Sequence, residues 1–175
     1  MTRRMSVLYG PEAIAVRNAE LAAEIAALTP ERLLVIAVLK GSFVFAADLI
    51  RALHGAGLEP EVEFITLSSY GEGRKSSGQV RIVHDVESEV VGRDVVLVDD
   101  ILESGRTLAF ARKLMESRGA RRVITCVLLN KGGKRAVEID ADLVGFECPD
   151  RFVVGYGMDA AHAYRQLPFV GVVED

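Results

Sequence analysis

Asp94-Val95-Val96-Leu97-Val98-Asp99-Asp100-Ile101-Leu102-Glu103-Ser104-Gly105-Arg106-Thr107-Leu108 is the stretch on which the reading of this chain turns. Val95 to Val98 is an unbroken apolar run, mostly β-branched, as expected of a strand buried on both faces. Two carboxylates, Asp99 and Asp100, end it. A third acid follows at Glu103, and Ser104-Gly105-Arg106-Thr107 leads into a helical pattern from Leu108 to Arg118. A strand, an acidic end, a small-residue turn and a helix start form a unit that binds ligands in open parallel sheets, outside the carboxyl ends of the strands.

The residue types in the turn narrow the ligand. Gly105 tolerates φ > 0 and lets a ligand come close to the backbone. Ser104 and Thr107 carry hydroxyl donors, and the first N–H groups of the following helix have no intrahelical partner. Such a cup suits a phosphate, although it has neither the spacing of a P-loop nor that of a dinucleotide fold. Three carboxylates beside an anion are costly: like charges ~4 Å apart at an effective dielectric of ~20 repel by about 4 kcal/mol. A helix N-terminus returns at most ~2 kcal/mol. The acids are therefore expected to bind hydroxyls, a divalent cation, or both. A phosphorylated sugar presenting vicinal hydroxyls to Asp99 and Asp100, together with Mg²⁺, meets each requirement. The plainer alternative is an acidic strand end that caps a helix.

The motif V-L-V-D-D-I-L-E-S-G-R-T-L resembles the phosphoribosyl-pyrophosphate (PRPP) signature of type I phosphoribosyltransferases. With its flanking segments it is most similar to the hypoxanthine–guanine branch of that family. The resemblance implies that Asp99 and Asp100 hold the ribose hydroxyls and a metal shell. It implies that Ser104, Gly105, Arg106 and Thr107 hold the 5′-phosphate, and that Glu103 manages the proton on purine N7.

The chain as a whole is compatible with one α/β domain. Its 175 residues can bury roughly 70% of the unfolded surface. A formal net charge of −4 gives no electrostatic pull toward nucleic acid or anionic membrane. There is no 18-residue apolar run, and no signal-peptide core follows Thr2-Arg3-Arg4-Met5. The two cysteines, Cys126 and Cys148, form neither a disulfide framework nor a metal spacing, so buried thiols and a cytoplasmic setting are expected.

In chain order, Pro11 to Leu28 reads as an amphipathic packing helix ended by Thr29-Pro30. Leu33 to Leu39 reads as a central strand, followed by Lys40-Gly41-Ser42 and a helix from Val44 to His54. On its own Lys40 could equally solvate a loop. Leu-Lys-Gly-Ser resembles the family's pyrophosphate loop, which implies an unusual backbone path at Gly41, amides facing the leaving group and a cis bond before the lysine. Glu61 to Ser68 and Val80 to Val83 read as strands. The polar, glycine-rich Ser69 to Gly78 between them is either a plain hairpin connection or, as Ser-Ser-Tyr-Gly resembles, a lid beginning at Ser69 and Tyr70 that excludes water.

Arg122 to Leu129 reads as a strand, with Asn130-Lys131-Gly132-Gly133-Lys134-Arg135 beyond its end. Lys131 alone would read as solvation or steering; Leu-Leu-x-Lys resembles the segment whose lysine contacts the purine's exocyclic oxygen. Leu143 to Glu147 and Phe169 to Val173 read as short strands. Between them, P-D-x-F-V-V-G-Y-G-x-D resembles a base-binding hood built from both chain ends, about 143–175 with the N-terminal segment. The resemblance gives Phe152 as the stacking aromatic, Val153 beside it, Asp159 for base recognition and a second metal, and Arg165 for pyrophosphate. Without it, Phe152 and Val153 could be core. The sequence departs from the family pattern at Glu103 (more often aspartate), at Gly132-Gly133, and at Ala160, where an aromatic is usual.

The expected fold is a mainly parallel sheet flanked by helices, with a small hood. The reaction implied by the resemblance is Mg²⁺-dependent transfer of 5-phosphoribose from PRPP to hypoxanthine or guanine, giving IMP or GMP and pyrophosphate, in a homo-oligomer, a dimer or tetramer. Alternatives are a phosphoribosyltransferase for xanthine, uracil or adenine, or an RNA-binding regulator on the same fold. A regulator would be expected to show a basic face, which the net charge does not favour.

Overall fold

Strands that are apolar on both faces need a helical layer on each side, and the core follows from that requirement. The structure, a computed structural model, describes residues 4–70 and 78–174. In chain order its elements are β1 (Met5–Tyr9), α1 (Pro11–Ala27), β2 (Leu34–Leu39), α2 (Phe43–Gly55), β3 (Glu61–Tyr70), β4 (Gln79–His84) and β5 (Asp94–Leu102). There follow α3 (Arg106–Ser117), β6 (Arg122–Lys131), β7 (Leu143–Cys148), β8 (Val153–Val154) and β9 (Val170–Val173). The main sheet has the order β4-β3-β2-β5-β6-β7. All its pairings are parallel except β3 with β4. This is the expected α/β class.

Alternate side chains of β2 and β5 enter opposite cores. Val35, Ala37, Val96 and Val98 pack with Phe45, Leu49 and Leu21 of α2 and α1. Leu34, Ile36, Val95 and Leu97 pack with Leu108, Ala111 and Met115 of α3. From β2 the chain passes through α2 to β3 on one side; from β5 it passes through α3 to β6 on the other. The strand order therefore reverses between β2 and β5, which makes their carboxyl ends the topological switch point of the sheet. A second, three-stranded sheet, β1-β9-β8, joins the two ends of the chain. Among the described residues no helix is long and apolar enough to cross a membrane.

Several boundaries differ from the sequence reading. β5 does not stop at its carboxylates but runs through them to Leu102, because β6 continues to pair alongside: Asp99 opposes Val127 and Ile101 opposes Leu129. For the same reason β6 extends to Lys131, which is strand and not loop. β3 takes in Ser69 and Tyr70, whose backbones pair with Val80 and Gln79; residues 71–77 of the expected lid lie outside the described residues. β1 carried no strand reading, since Met5–Tyr9 becomes a strand only through its antiparallel partner β9.

At the opposite end of β5, Asp94 is fully buried and gathers three elements. It accepts hydrogen bonds from the Glu31 N–H (2.8 Å), from Arg121 (2.7 Å) and from Arg122 (2.9 Å). Burial pushes its carboxyl up, but these donors outweigh it and hold the group below its ordinary value. A depressed carboxyl contributes stability above the unfolded value of ~3.9, lost as pH falls through the folded pKa. Asp94→Ala is expected to cost about 1.5–3 kcal/mol at neutral pH, because hydrogen bonds to a buried carboxylate are lost while the partly exposed Arg121 and Arg122 can turn to water. The difference should narrow in acid. Urea denaturation from pH 7 to pH 3 checks this; wild-type stability of the variant at pH 7 would refute it.

Candidate active site

Where β2 and β5 end side by side, a cleft of about 520 Å³ opens, lined by Lys40, Gly41, Asp99, Asp100, Glu103, Ser104, Gly105, Thr107 and Lys134, among others. Two strand–turn–helix units meet there, and each supplies one wall.

The acids are set by the strand. Asp99 is 8% exposed, and burial first, then the charge and hydrogen bonding of Asp100, push its carboxyl well above the ordinary range. Each carboxylate accepts a backbone N–H from the next residue: Asp100 N–H to Asp99 Oδ1 at 2.9 Å, Ile101 N–H to Asp100 Oδ1 at 2.8 Å. The facing wall is Gly41. The bond between Leu39 and Lys40 is cis, as the resemblance implied. Gly41 itself is not among the residues with positive φ. The glycine is required by proximity and not by an unusual φ: a Cβ there would stand 2.0 Å from Asp100 Oδ2.

Gly105 does have the left-handed conformation, φ 82°, immediately before α3. Its missing side chain does not point where the sequence reading placed the ligand. A Cβ would meet Ile139 Cγ2 at 2.5 Å and Val137 Cγ2 at 3.1 Å, so the glycine lets the segment after β6 close behind the turn. That segment braces the turn: Ala136 and Val137 N–H groups donate to Ser104 O (2.8 and 3.3 Å), and Arg135 donates to Glu103 O (2.8 Å). Ser104 Oγ accepts the Arg106 N–H at 3.3 Å. Arg106 opens α3, and its guanidinium lies against Gly78, where a Cβ would be 1.9 Å from it.

Lys131 is 6% exposed at the end of β6, with its ammonium 3.3 Å from Glu103 Oε1. Lys134 reaches the same oxygen at 3.6 Å, and both lysines approach Asp150. Nothing in the sequence reading singled out Lys134 or Asp150. The available signal was Lys-Gly-Gly-Lys: Gly133, at φ +90°, turns the chain back and brings the second cation beside the first.

The hood residues are divided. Phe152 is 55% exposed, which leaves its ring open to stacking. Val153 is packed in the core, so its side chain cannot line a base site and only its main chain remains available. Asp159 and Arg165 do not line the acid cleft; they pair with each other at 3.2 Å. Arg165 also donates to Gly157 O at 2.6 Å, and Gly157 in turn packs on Gly41 O, where a Cβ would stand 2.6 Å away. The larger groove of about 810 Å³, between α1, α2 and the segment 162–168, includes Arg165 but not Asp99, Asp100 or Glu103. Ser69 is exposed on β3.

Among the described residues no three His, Cys, Asp or Glu side chains converge as a metal set, so Asp99, Asp100 and Asp159 are not one preformed cage. Two adjacent hard carboxylates, one driven toward its protonated form by burial and by the other, nevertheless fit a cation that takes its remaining ligands from substrate oxygens and water, as Mg²⁺ does.

The phosphoribosyl transferase domain model matches residues 8–161. The hypoxanthine-guanine phosphoribosyltransferase of Aquifex aeolicus is 42% identical over 175 residues, covering 99% of this chain and 97% of its own. The enzyme of that name from Bacillus subtilis is 42% identical over 169 residues, covering 96% and 92%. A crystal structure of hypoxanthine phosphoribosyltransferase from Staphylococcus aureus superposes with a TM-score of 0.90 at 36% identity, covering 97% of this chain and 91% of that one.

Two outcomes follow from the geometry of the acids. Gly41→Ala is expected to displace the Asp100 carboxylate and lower turnover by about 10²-fold, the scale of a 1 Å misplacement, with folding retained. Wild-type turnover would refute the contact. Asp99 has a raised folded pKa, so its contribution to stability is present below ~3.9 and lost as pH rises through the folded value. Asp99→Asn, which carries no charge at any pH, should therefore melt above wild type at pH 8 in the presence of a chelator. Near pH 4 the two should melt together. Equal melting at pH 8 would refute the assignment.

Proposed function

This chain belongs to the phosphoribosyl transferase domain family, and from that premise we propose that it transfers 5-phosphoribose from PRPP to N9 of hypoxanthine or guanine, releasing pyrophosphate, in purine salvage. The observation that carries the choice of base is the 3.3 Å pairing of Lys131 with Glu103. Along one edge a 6-oxopurine presents an acceptor, O6, beside N7, which can carry a proton. An ammonium beside a carboxylate is the complement of that edge.

In this reading Lys131, a donor only, holds O6, and Glu103 accepts the N7 proton as N9 bonds to the ribose carbon and pyrophosphate departs. Asp99 and Asp100 hold the ribose hydroxyls. The turn from Ser104 to Thr107 holds the 5′-phosphate at the start of α3. Lys40 and the Gly41 backbone attend the pyrophosphate, with Arg165 behind them through Gly157. Mg²⁺ on Asp99 and Asp100, and a second ion toward Asp159, would offset charge on the leaving group. The sheet β1-β9-β8 serves as the hood, with Phe152 stacking on the base and the main chain at Val153 beside it. Ser69 and Tyr70, at the end of β3, begin the lid that keeps water from the ribosyl centre. A homo-oligomer, and a cytoplasmic setting suited to the two free, buried thiols, complete the proposal.

An absorbance assay with PRPP, Mg²⁺ and a panel of free bases tests it. Hypoxanthine and guanine should be substrates. Adenine should be rejected by up to ~10⁴–10⁵-fold, because its amino group faces a donor and leaves a buried polar group unpaired. Lys131→Ala should lose turnover with hypoxanthine far more than affinity for PRPP. Good turnover of adenine, xanthine or uracil alone, or full activity of Lys131→Ala, would overturn the assignment of the base.

A further inference from the structure

Glu103 is contacted by two lysines at the same oxygen. Lys131 lies 3.3 Å and Lys134 3.6 Å from Oε1, while Asp150 Oδ1 lies 4.0 and 3.6 Å from the same two ammonium groups. Two cations and two anions therefore alternate in a ring. Its members differ in freedom: the side chain of Lys131 is 8% exposed, that of Lys134 61%. The backbone under Glu103 is held separately, by Arg135 on its carbonyl at 2.8 Å, so only the side chain remains to be positioned.

We propose that Lys134 is a positioning residue that keeps the Glu103 carboxylate in place when Lys131 turns to the base. The inference rests on the reading of Lys131 and Glu103 given above. Once the Lys131 ammonium is directed at a base carbonyl, Glu103 loses its nearest cation. It then stands at the mouth of a cleft already carrying Asp99 and Asp100, and repulsion drives it outward. Glutamate has one more rotatable bond than aspartate, so it also has more freedom to lose in being held. Lys134 meets both needs, and it lines the cleft alongside Glu103. The Gly132-Gly133 turn is what allows it to return there, Gly133 having φ +90°. Asp150 occupies the second side of each lysine and keeps the four-charge ring neutral before the base arrives.

The test is a set of single-turnover measurements with hypoxanthine at saturating PRPP and Mg²⁺. Lys134→Ala should slow the step by ~2–5-fold, the scale of a largely exposed ion pair, with the Kd for PRPP within about twofold of wild type. Lys134→Arg should restore the rate. In a Glu103→Gln background, Lys134→Ala should cause no further loss, since there is no carboxylate left to hold. An unchanged rate in Lys134→Ala, an equal loss in the Glu103→Gln background, or a loss appearing in PRPP affinity instead would each overturn the inference. A wild type that ribosylates no 6-oxopurine would overturn the functional reading, and the inference with it. An active wild type without the coupling overturns the inference alone.

Discussion

Two adjacent carboxylates at the end of a buried strand are the constraint around which this molecule is arranged. Asp99 and Asp100 repel each other, and Asp99 is buried deeply enough that its carboxyl is driven toward protonation. Left alone, the pair is a liability to stability. A ligand that brings hydroxyls and a cation converts the liability into binding free energy, which is how functional sites come to oppose the fold that carries them. Gly41 sharpens the constraint, because the neighbouring strand end approaches Asp100 closely enough to exclude even a methyl group.

The rest of the architecture fixes that approach. β2 and β5 are neighbours whose connections leave in opposite directions, so their ends share a crevice that no helix crosses. The hood is tied to this crevice at its base. Gly157 rests on the Gly41 carbonyl, and Tyr156 links Asn18 of α1 (3.0 Å) to Asp48 of α2. A shift of the hood would therefore be felt at the loop that carries Lys40 and Gly41.

Charge is distributed in two parts. The acids at Asp99 and Asp100 have no lysine or arginine ion pair among the described residues, which leaves them for a ligand. Three residues further on, Glu103 is matched by Lys131, Lys134 and Asp150. One part of the cleft thus requires positive charge from outside, while the other is already neutral and suited to an uncharged base. The same short turn serves both because Ser104 and Glu103 have their carbonyls held by the segment after β6.

The local grammar of the chain was sufficient for the α/β class and for most elements, because both-face burial, helical spacing and glycine punctuation are short-range signals. Within the family resemblance, it was also sufficient to nominate the acids, the turn and the two segments that carry Lys40 and Lys131. It could not tell that β5 runs through its acids or that β6 runs to Lys131, since polar residues extend a strand only when a partner strand supplies the hydrogen bonds. Nor could it assign the reasons for the glycines. Gly41 is required by Asp100, far along the chain, and Gly105 by Ile139 behind it. The two lysines on one oxygen of Glu103, the burial of the Val153 side chain and the pairing of Asp159 with Arg165 are likewise facts of proximity. Residue type and spacing decide what a segment can do; only the folded chain decides which other segment stands within 3–4 Å of it.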